Sequence, residues 1–209
     1  MRVEDRTLGV VLAGGQSRRM GTVDKTLLPL CGIPMVKRVL DRIRPQVDEV
    51  IINSNADASL FAAFGAPVLG DVVPGYAGPL AGVLTALEHA DAHGFRHVCS
   101  VAADTPFFPS DFTMRLKDKP DHDIVLASYN GFRQPTFGLW SVELVKPLRD
   151  FLTQGDDRKI MRFVQQHSWA CVAFDSDPEN GPDPFFNVNT PEDLKLAERH
   201  VNNYECDHG

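Results

Sequence analysis

The stretch Leu8–Ala13, LGVVLA, decides how this chain is read, together with the loop after it, Gly14-Gly15 and then Gln16-Ser17-Arg18-Arg19-Met20-Gly21-Thr22-Val23-Asp24-Lys25. A continuous apolar run without alternation suits a short strand buried on both faces, as in a parallel sheet covered by helices. Two adjacent glycines beyond its end let the backbone approach a ligand and turn N–H groups toward an anion. Arg18, Arg19 and Lys25 then place three cations in one loop. A tight turn leading into a solvated loop would have no need to concentrate like charges, so the segment is read as an anion-binding loop. Two other phosphate loops are excluded: G-x-x-x-x-G-K-[ST] does not occur, since Thr22 follows Gly21, and no G-x-G-x-x-G follows the strand.

Working outward, apolar runs alternate with helical patterns. Pro34 opens a helix in which Met35, Val39 and Ile43, with Val36 and Leu40 beside them, recur every four residues up to Pro45. Asp48–Ser54 reads as a second strand, Ala58–Phe64 as a short helix stopped by Gly65, and Pro67–Leu69 as a third strand. Pro79 starts a longer helix with Leu80, Val83, Leu84 and Leu87 inward and Gly94 at its C-terminal cap. His97–Ala103 is a further buried strand. This succession implies right-handed crossovers and a three-layer α/β/α sandwich around a mostly parallel, Rossmann-like sheet. The second half predicts strands near Ile124–Ser128, Thr136–Trp140 and Cys171–Phe174, and helices over Val142–Leu152, Lys159–His167 and from Pro191 onward. Thr190 and Asp193 have the spacing of a capping box, and the tail, residues 202–209, is expected to fray. One domain is expected over residues 1–209, in two consecutive parts, about 8–110 and about 111–200.

The 209 residues carry 21 Lys plus Arg against 28 Asp plus Glu, a net charge of −7, which argues against nucleic-acid binding. The charge is uneven: residues 1–45 hold nine basic and four acidic residues (+5), residues 46–209 twelve and twenty-four (−12). A basic head on an acidic body still suits a small anionic ligand, because a local cluster sets the field in a cleft. No apolar run reaches the roughly 20 residues of a membrane helix, and the N-terminus lacks the apolar stretch of a signal peptide, so a cytoplasmic protein is expected. Cys31, Cys99, Cys171 and Cys206 form no C-x-x-C pair and read as reduced, mostly buried thiols.

Ligands of open parallel sheets bind beyond the carboxyl ends of the strands. Gly14, Gly15, Asn53, Asp71 and Asp104 stand at those ends. Asp104, next to Thr105-Pro106, is well placed to hold Mg²⁺ on phosphate oxygens, although an Asp there also caps turns. Alone, Asn53 and Asp71 read as turn residues.

The motifs follow one another in a recognisable order: L-A-G-G-x-S-x-R-M-G-x-x-D-K-x-L-L-x-L from Leu12 to Leu30, G-x-P-M at Gly32–Met35, G-P-L-A-G at Gly78–Gly82, D-T-P at Asp104–Pro106, and N-x-N-T-P at Asn187–Pro191. Together they resemble the molybdenum cofactor guanylyltransferase family, within the wider nucleotidyltransferases. The resemblance implies a nucleotide-diphospho-sugar-transferase type of fold and Mg²⁺-dependent transfer of GMP from GTP to the terminal phosphate of molybdopterin, releasing pyrophosphate. By the same resemblance, Leu12, Ala13 and Gly14 would hold the nucleotide through main-chain groups, Lys25 its phosphates, Asn53 and Asp71 further nucleotide contacts, and Asp104 the Mg²⁺. Lys25 and Asp104 are thus the catalytic candidates. Gly15 with the Gly78–Gly82 turn would border the guanine pocket; Asn187 and Asn189 would lie on the acceptor side. Transient contacts with molybdenum-insertion proteins and recipient molybdoenzymes are implied as well. Two positions depart from the family pattern: Gln134 stands where His is common before Pro, and Ala103 where Cys precedes the metal Asp. A cytidylyltransferase is the nearest rival, disfavoured by resemblance because the cytidine relatives more often carry Ala at the second Gly of the loop. A non-catalytic nucleotide or cofactor carrier is the rival of another class.

Other features read as structural. His89 and His93 lack a third ligand, Arg38, Arg42 and Arg44 read as surface, and Trp140, Trp169 and the phenylalanines as core. Arg158 and Lys159, opening a helix after Asp156-Asp157, are expected to face the acceptor because molybdopterin is anionic.

Overall fold

The computed structural model describes residues 5–14, 25–75, 78–154, 159–175 and 183–207, with side chains described through Asn202. Strand β1 (Thr7–Leu12) is flanked by β4 (Glu49–Asn53) and β6 (His97–Ala102), both parallel to it. β5 (Val68–Leu69) extends one edge. On the other side β8 (Phe132–Ser141) runs antiparallel to β6, and beyond it β7 (Ile124–Tyr129) and β9 (Trp169–Ala173) return to the direction of β1. The order is β5-β4-β1-β6-β8-β7-β9, so β8 alone among the described strands of this sheet opposes the rest. A small hairpin, β2 (Pro29–Leu30) with β3 (Ile33–Pro34), stands apart.

The continuous apolar run of β1 has the physical cause read from sequence. Leu8, Val10 and Leu12 face the core built with α2 (Pro79–Ala92), α4 (Val145–Gln154) and α5 (Ile160–Val164), while Val11 faces α1 (Met35–Ile43) and α3 (Phe112–Lys117). Both faces of the strand are therefore buried, and each Leu or Val side chain contributes about 1.5–3 kcal/mol. α2 begins at Pro79, its missing N–H costing nothing at that position, and ends before Gly94 at φ +73. The Asn130-Gly131 pair, with φ of +49 and +78, makes the tight turn between β7 and β8.

Three expectations need correction. The C-terminal helix α6 spans Pro191–Asp207, so the described part of the tail expected to fray, residues 202–207, continues a helix that Ala197 and Val201 anchor by burying against Leu30, Met35 and Val188. The arginines of α1 and its end are not plain surface groups. Arg38 donates to the Leu30 carbonyl, Arg42 to that of Phe108 and Arg44 to that of Phe64, tying loops to the helix. Among the described cysteine side chains only Cys99 is buried, its thiol pushed up to about 12 by desolvation; Cys31 and Cys171 are half-buried. Helix α3 was not expected. It is short, and Phe112 and Leu116 sit in an aromatic cluster with Phe108, Phe137, Phe174 and Phe185 that only the packed fold assembles. No described helix is long and apolar enough to cross a membrane.

Candidate active site

The carboxyl ends of β1, β4, β5 and β6 form one rim, and two groups of polar side chains meet there on either side of β1. The end of β1 is fixed from both flanks: the Ala13 N–H donates to Asn53 O at 2.9 Å, and Leu12 O accepts from the Ala103 N–H at 3.1 Å. Gly14 comes next, exposed, with an ideal Cβ only 3.8 Å from Asn53 Oδ1.

On the β4–β5 side, Asn53 is 3 % exposed, and its amide donates to Leu69 O at 3.1 Å and to Asp71 Oδ1 at 3.0 Å. Asn55 holds the second oxygen, donating to Asp71 Oδ2 at 2.7 Å while its own Oδ1 accepts from the Asp71 N–H at 2.8 Å. The loop bearing Asp71 is pinned to α2 by Thr85, whose buried hydroxyl accepts from the Val72 N–H at 3.0 Å and donates toward Ala81 O at 3.0 Å. Gly82 lets α2 come this close. A Cβ there would lie 2.2 Å from Asn53 Oδ1 and 2.7 Å from Leu12 Cδ2, so the glycine is required by the Asn53 seat. Gly78, at φ +69, makes the turn into Pro79.

On the β6 side, Lys25 Nζ pairs with Asp104 Oδ2 at 2.5 Å and donates to Asn189 Oδ1 at 2.6 Å. The lysine opens a 3₁₀ turn, Lys25–Leu27, the aspartate follows β6, and the asparagine immediately precedes the cap of α6. The Lys25 and Asp104 side chains keep 17 % and 14 % of their surface exposed, enough for a ligand to reach them and little enough to strengthen their interaction. Asp104 O accepts from the Val188 N–H at 2.9 Å, joining β6 to the chain that enters α6. Asp193 and Thr190 form the capping box: the Asp193 carboxylate accepts from the Asn189 and Thr190 N–H groups at 2.9 and 2.8 Å, and Thr190 Oγ1 accepts from the Asp193 N–H at 3.1 Å. These bonds, that from Asn189 first, hold the Asp193 carboxyl below its ordinary 3.8.

A MobA-like NTP transferase domain model matches residues 9–170. A molybdenum cofactor guanylyltransferase of Mesorhizobium japonicum is 46 % identical over 196 residues, covering 91 % of this chain and 94 % of the relative. One from a Bradyrhizobium species is 42 % identical, with 91 % of each covered. Among solved structures, molybdopterin-guanine dinucleotide biosynthesis protein A from Archaeoglobus fulgidus superposes with a TM-score of 0.74 at 25 % identity, covering 94 % of this chain and 99 % of that one. The chain belongs to the MobA-like NTP transferases.

For a MobA-like transferase, the arrangement divides the expected residues clearly. Leu12, Ala13, Gly14, Lys25, Asn53, Asp71, Gly78, Gly82, Asp104 and Asn189 share the rim, although they come from the whole length of the chain. Asn187 is exposed two residues before Asn189. Lys159 is exposed at the start of α5, on the sheet face that carries α2 and α4. Gly15, Arg18, Arg19 and Arg158 lie outside the described residues. Ala103 is buried, 1 % exposed, and its N–H serves the β1 end, while Gln134 pairs with Ala127 of β7. Asn55 and Thr85 were not anticipated: Asn55 holds Asp71 itself and Thr85 holds the Gly70 and Val72 backbone on either side of it, and nothing in the local sequence distinguishes them from ordinary loop and helix residues.

Among the described residues no three His, Cys, Asp or Glu side chains gather as a metal cluster. A Mg²⁺ ion commonly takes one or two protein carboxylates and completes its shell with substrate phosphates and water. Asp104 offers one such carboxylate, its Oδ1 3.3 Å from the Thr105 hydroxyl.

Proposed function

We propose that this MobA-like transferase moves GMP from GTP to the terminal phosphate of molybdopterin, forming the guanine dinucleotide cofactor and releasing pyrophosphate. The observation that carries the reading is the Lys25–Asp104–Asn189 cluster, in a chain 46 % identical to a molybdenum cofactor guanylyltransferase. The attacking group is a phosphate oxygen, ionised at neutral pH, so the reaction requires no general base. It requires charge neutralisation: like unit charges about 4 Å apart repel by roughly 4 kcal/mol at an effective dielectric of 20. Mg²⁺, when bound, supplies Lewis-acid stabilisation of the phosphate oxygens. Asp104 would hold it. Lys25 stabilises the charge that develops on the transferring phosphoryl group, and the backbone at Ala13 and Gly14, made rigid by the Asn53 and Leu12 bonds, orients the nucleotide.

The Asn53–Asp71–Asn55 group presents a fixed carboxylate for a nucleotide hydroxyl or base N–H, and the Gly78–Gly82 turn borders the base. Residues 8–110 and 111–200 act as one catalytic domain in this reading, since Asn189 of the second part bonds to Lys25 of the first. The product passes to recipient molybdoenzymes in the cytosol. A pyrophosphate-release assay offering each of the four nucleoside triphosphates, with and without molybdopterin, tests reaction, base and acceptor together. Release should require GTP and molybdopterin and fall about a hundredfold or more in Asp104→Ala. Release with CTP in place of GTP would move the assignment to the cytidine class, and binding without turnover would reduce the protein to a carrier.

A further inference from the structure

The capping box at the start of α6 contains one hydrogen bond more than a helix cap uses. In such a box the third residue of the helix reaches back to the N–H of the cap residue. Here Asp193 does so to Thr190, and the same oxygen also accepts from the N–H of Asn189, which lies outside the helix. That additional bond falls on the residue whose side chain meets Lys25 at 2.6 Å. The neighbouring Val188 is fully buried and its N–H is held by Asp104 O, so the backbone from 188 to 190 is fastened on both sides of Asn189. Asp193 therefore fastens the Asn189 backbone from which the side chain reaches Lys25, whose ammonium Asp104 holds from the other side at 2.5 Å.

We propose that Asp193 is a positioning residue for the transfer reaction, acting through the Asn189 backbone and side chain on Lys25. The proposal rests on the functional reading above for its kinetic consequence. A group that touches no substrate acts by keeping Lys25 within the narrow geometry that phosphoryl stabilisation demands, and supporting partners of this kind are commonly worth tenfold or more in activity. Among the bonds holding the Asp193 carboxyl low, the largest comes from Asn189 rather than from Thr190. The carboxylate thus stays ionised, an acceptor only, throughout the neutral range.

The test separates positioning from capping. Asp193→Ala should lower kcat by about ten- to a hundredfold. Thr190→Ala, which removes the other half of the box without touching Asn189, should lower the melting temperature comparably yet leave kcat within about twofold. In an Asn189→Ala background the Asp193→Ala change should alter kcat by less than about twofold, because its effect has no remaining route. Asp193→Asn, whose amide oxygen still accepts both bonds, should recover most of the activity and keeps the test open if the alanine variant folds poorly. A second readout needs no turnover: the rate of Lys25 acetylation, followed by mass spectrometry, should rise in Asp193→Ala and in Asn189→Ala but not in Thr190→Ala. A kcat loss in Asp193→Ala no larger than in Thr190→Ala, or one that persists in the Asn189→Ala background, overturns the proposal, as does unchanged Lys25 reactivity. Failure of the wild type to release pyrophosphate would instead count against the functional reading, and the reactivity comparison would still decide the role of Asp193.

Discussion

At the carboxyl-end rim of the sheet Lys25 and Asp104 pair at 2.5 Å with 17 % and 14 % of their side chains exposed; at the opposite rim Arg6 and Glu49 pair at 2.7 Å with 33 % and 58 % exposed. The chemistry is alike, but the surroundings differ. Around Arg6, the remaining polar contacts tie strand beginnings together: Asp48 accepts from the Thr7 N–H at 2.7 Å, and His97 meets Asp5 at 3.0 Å. At the carboxyl-end rim the polar groups are themselves held: on the Lys25 side the Val188 N–H donates to Asp104 O and Asp193 accepts from the Asn189 N–H, and across β1 Asn53 and Asn55 hold Asp71. Water screens an exposed pair and leaves it worth about 0–1 kcal/mol. A half-buried pair is screened less, and removing one member leaves the other charge poorly compensated. One rim spends its charges on fastening strand beginnings, the other holds its charged pair in a further set of polar contacts.

That contrast is sharpest for the two cations. Lys25→Met should reduce pyrophosphate release by about a hundredfold or more while the protein stays folded, whereas Arg6→Met should leave the rate unchanged and cost at most about 1 kcal/mol in denaturant titrations. Equal kinetic effects would erase the distinction between the rims. Next in size is Gly82→Ala. The added methyl must displace Asn53 Oδ1 and Leu12 Cδ2, so stability should fall by about 1–3 kcal/mol, and GTP affinity should fall with it because Asp71 loses one of its two asparagine partners. A crystal structure of that variant with Asn53 undisturbed would contradict the account of the seat.

The smallest effect belongs to the opposite rim. Burial holds His97 below its ordinary 6.5, against a weaker upward pull from Asp5. A histidine with a depressed folded value binds fewer protons than the unfolded chain just below pH 6.5, so its contribution to stability is complete above that pH and declines as the solution is acidified through the folded value. His97→Gln should therefore lose less melting temperature than the wild type between pH 7 and pH 5. A steeper decline in the variant would reverse the sign and assign control of His97 to Asp5.

Much of this was legible in the sequence where the cause is local. LGVVLA is buried on both faces as its composition demands, Gly65 ends its 3₁₀ helix at φ +62, and Thr190 and Asp193 form the box that their spacing announces. Asp104 and Asn53 could be placed at strand ends because strand and turn signals are short-range. The pairing of Lys25 with Asn189 could not be read, since 164 residues separate them and no periodicity links them. Thr85 and Asn55 escaped for a related reason: a helix hydroxyl and a loop amide become significant only when the loop bearing Asp71 folds between them.

The sequence by itself determined the alternation of buried strands and amphipathic helices, and with it the rim on which polar strand ends must collect, because hydrophobic periodicity and right-handed crossovers leave few other arrangements. It also supplied the chemical types present there: glycines, carboxylates, asparagines and a lysine. Tertiary structure decided which of those groups touch. Hydrogen bonds act over about 3 Å and depend on direction, so whether Asn189 faces Lys25, or Gly82 admits Asn53, depends on how layers far apart in the chain pack together, and no local pattern encodes that distance.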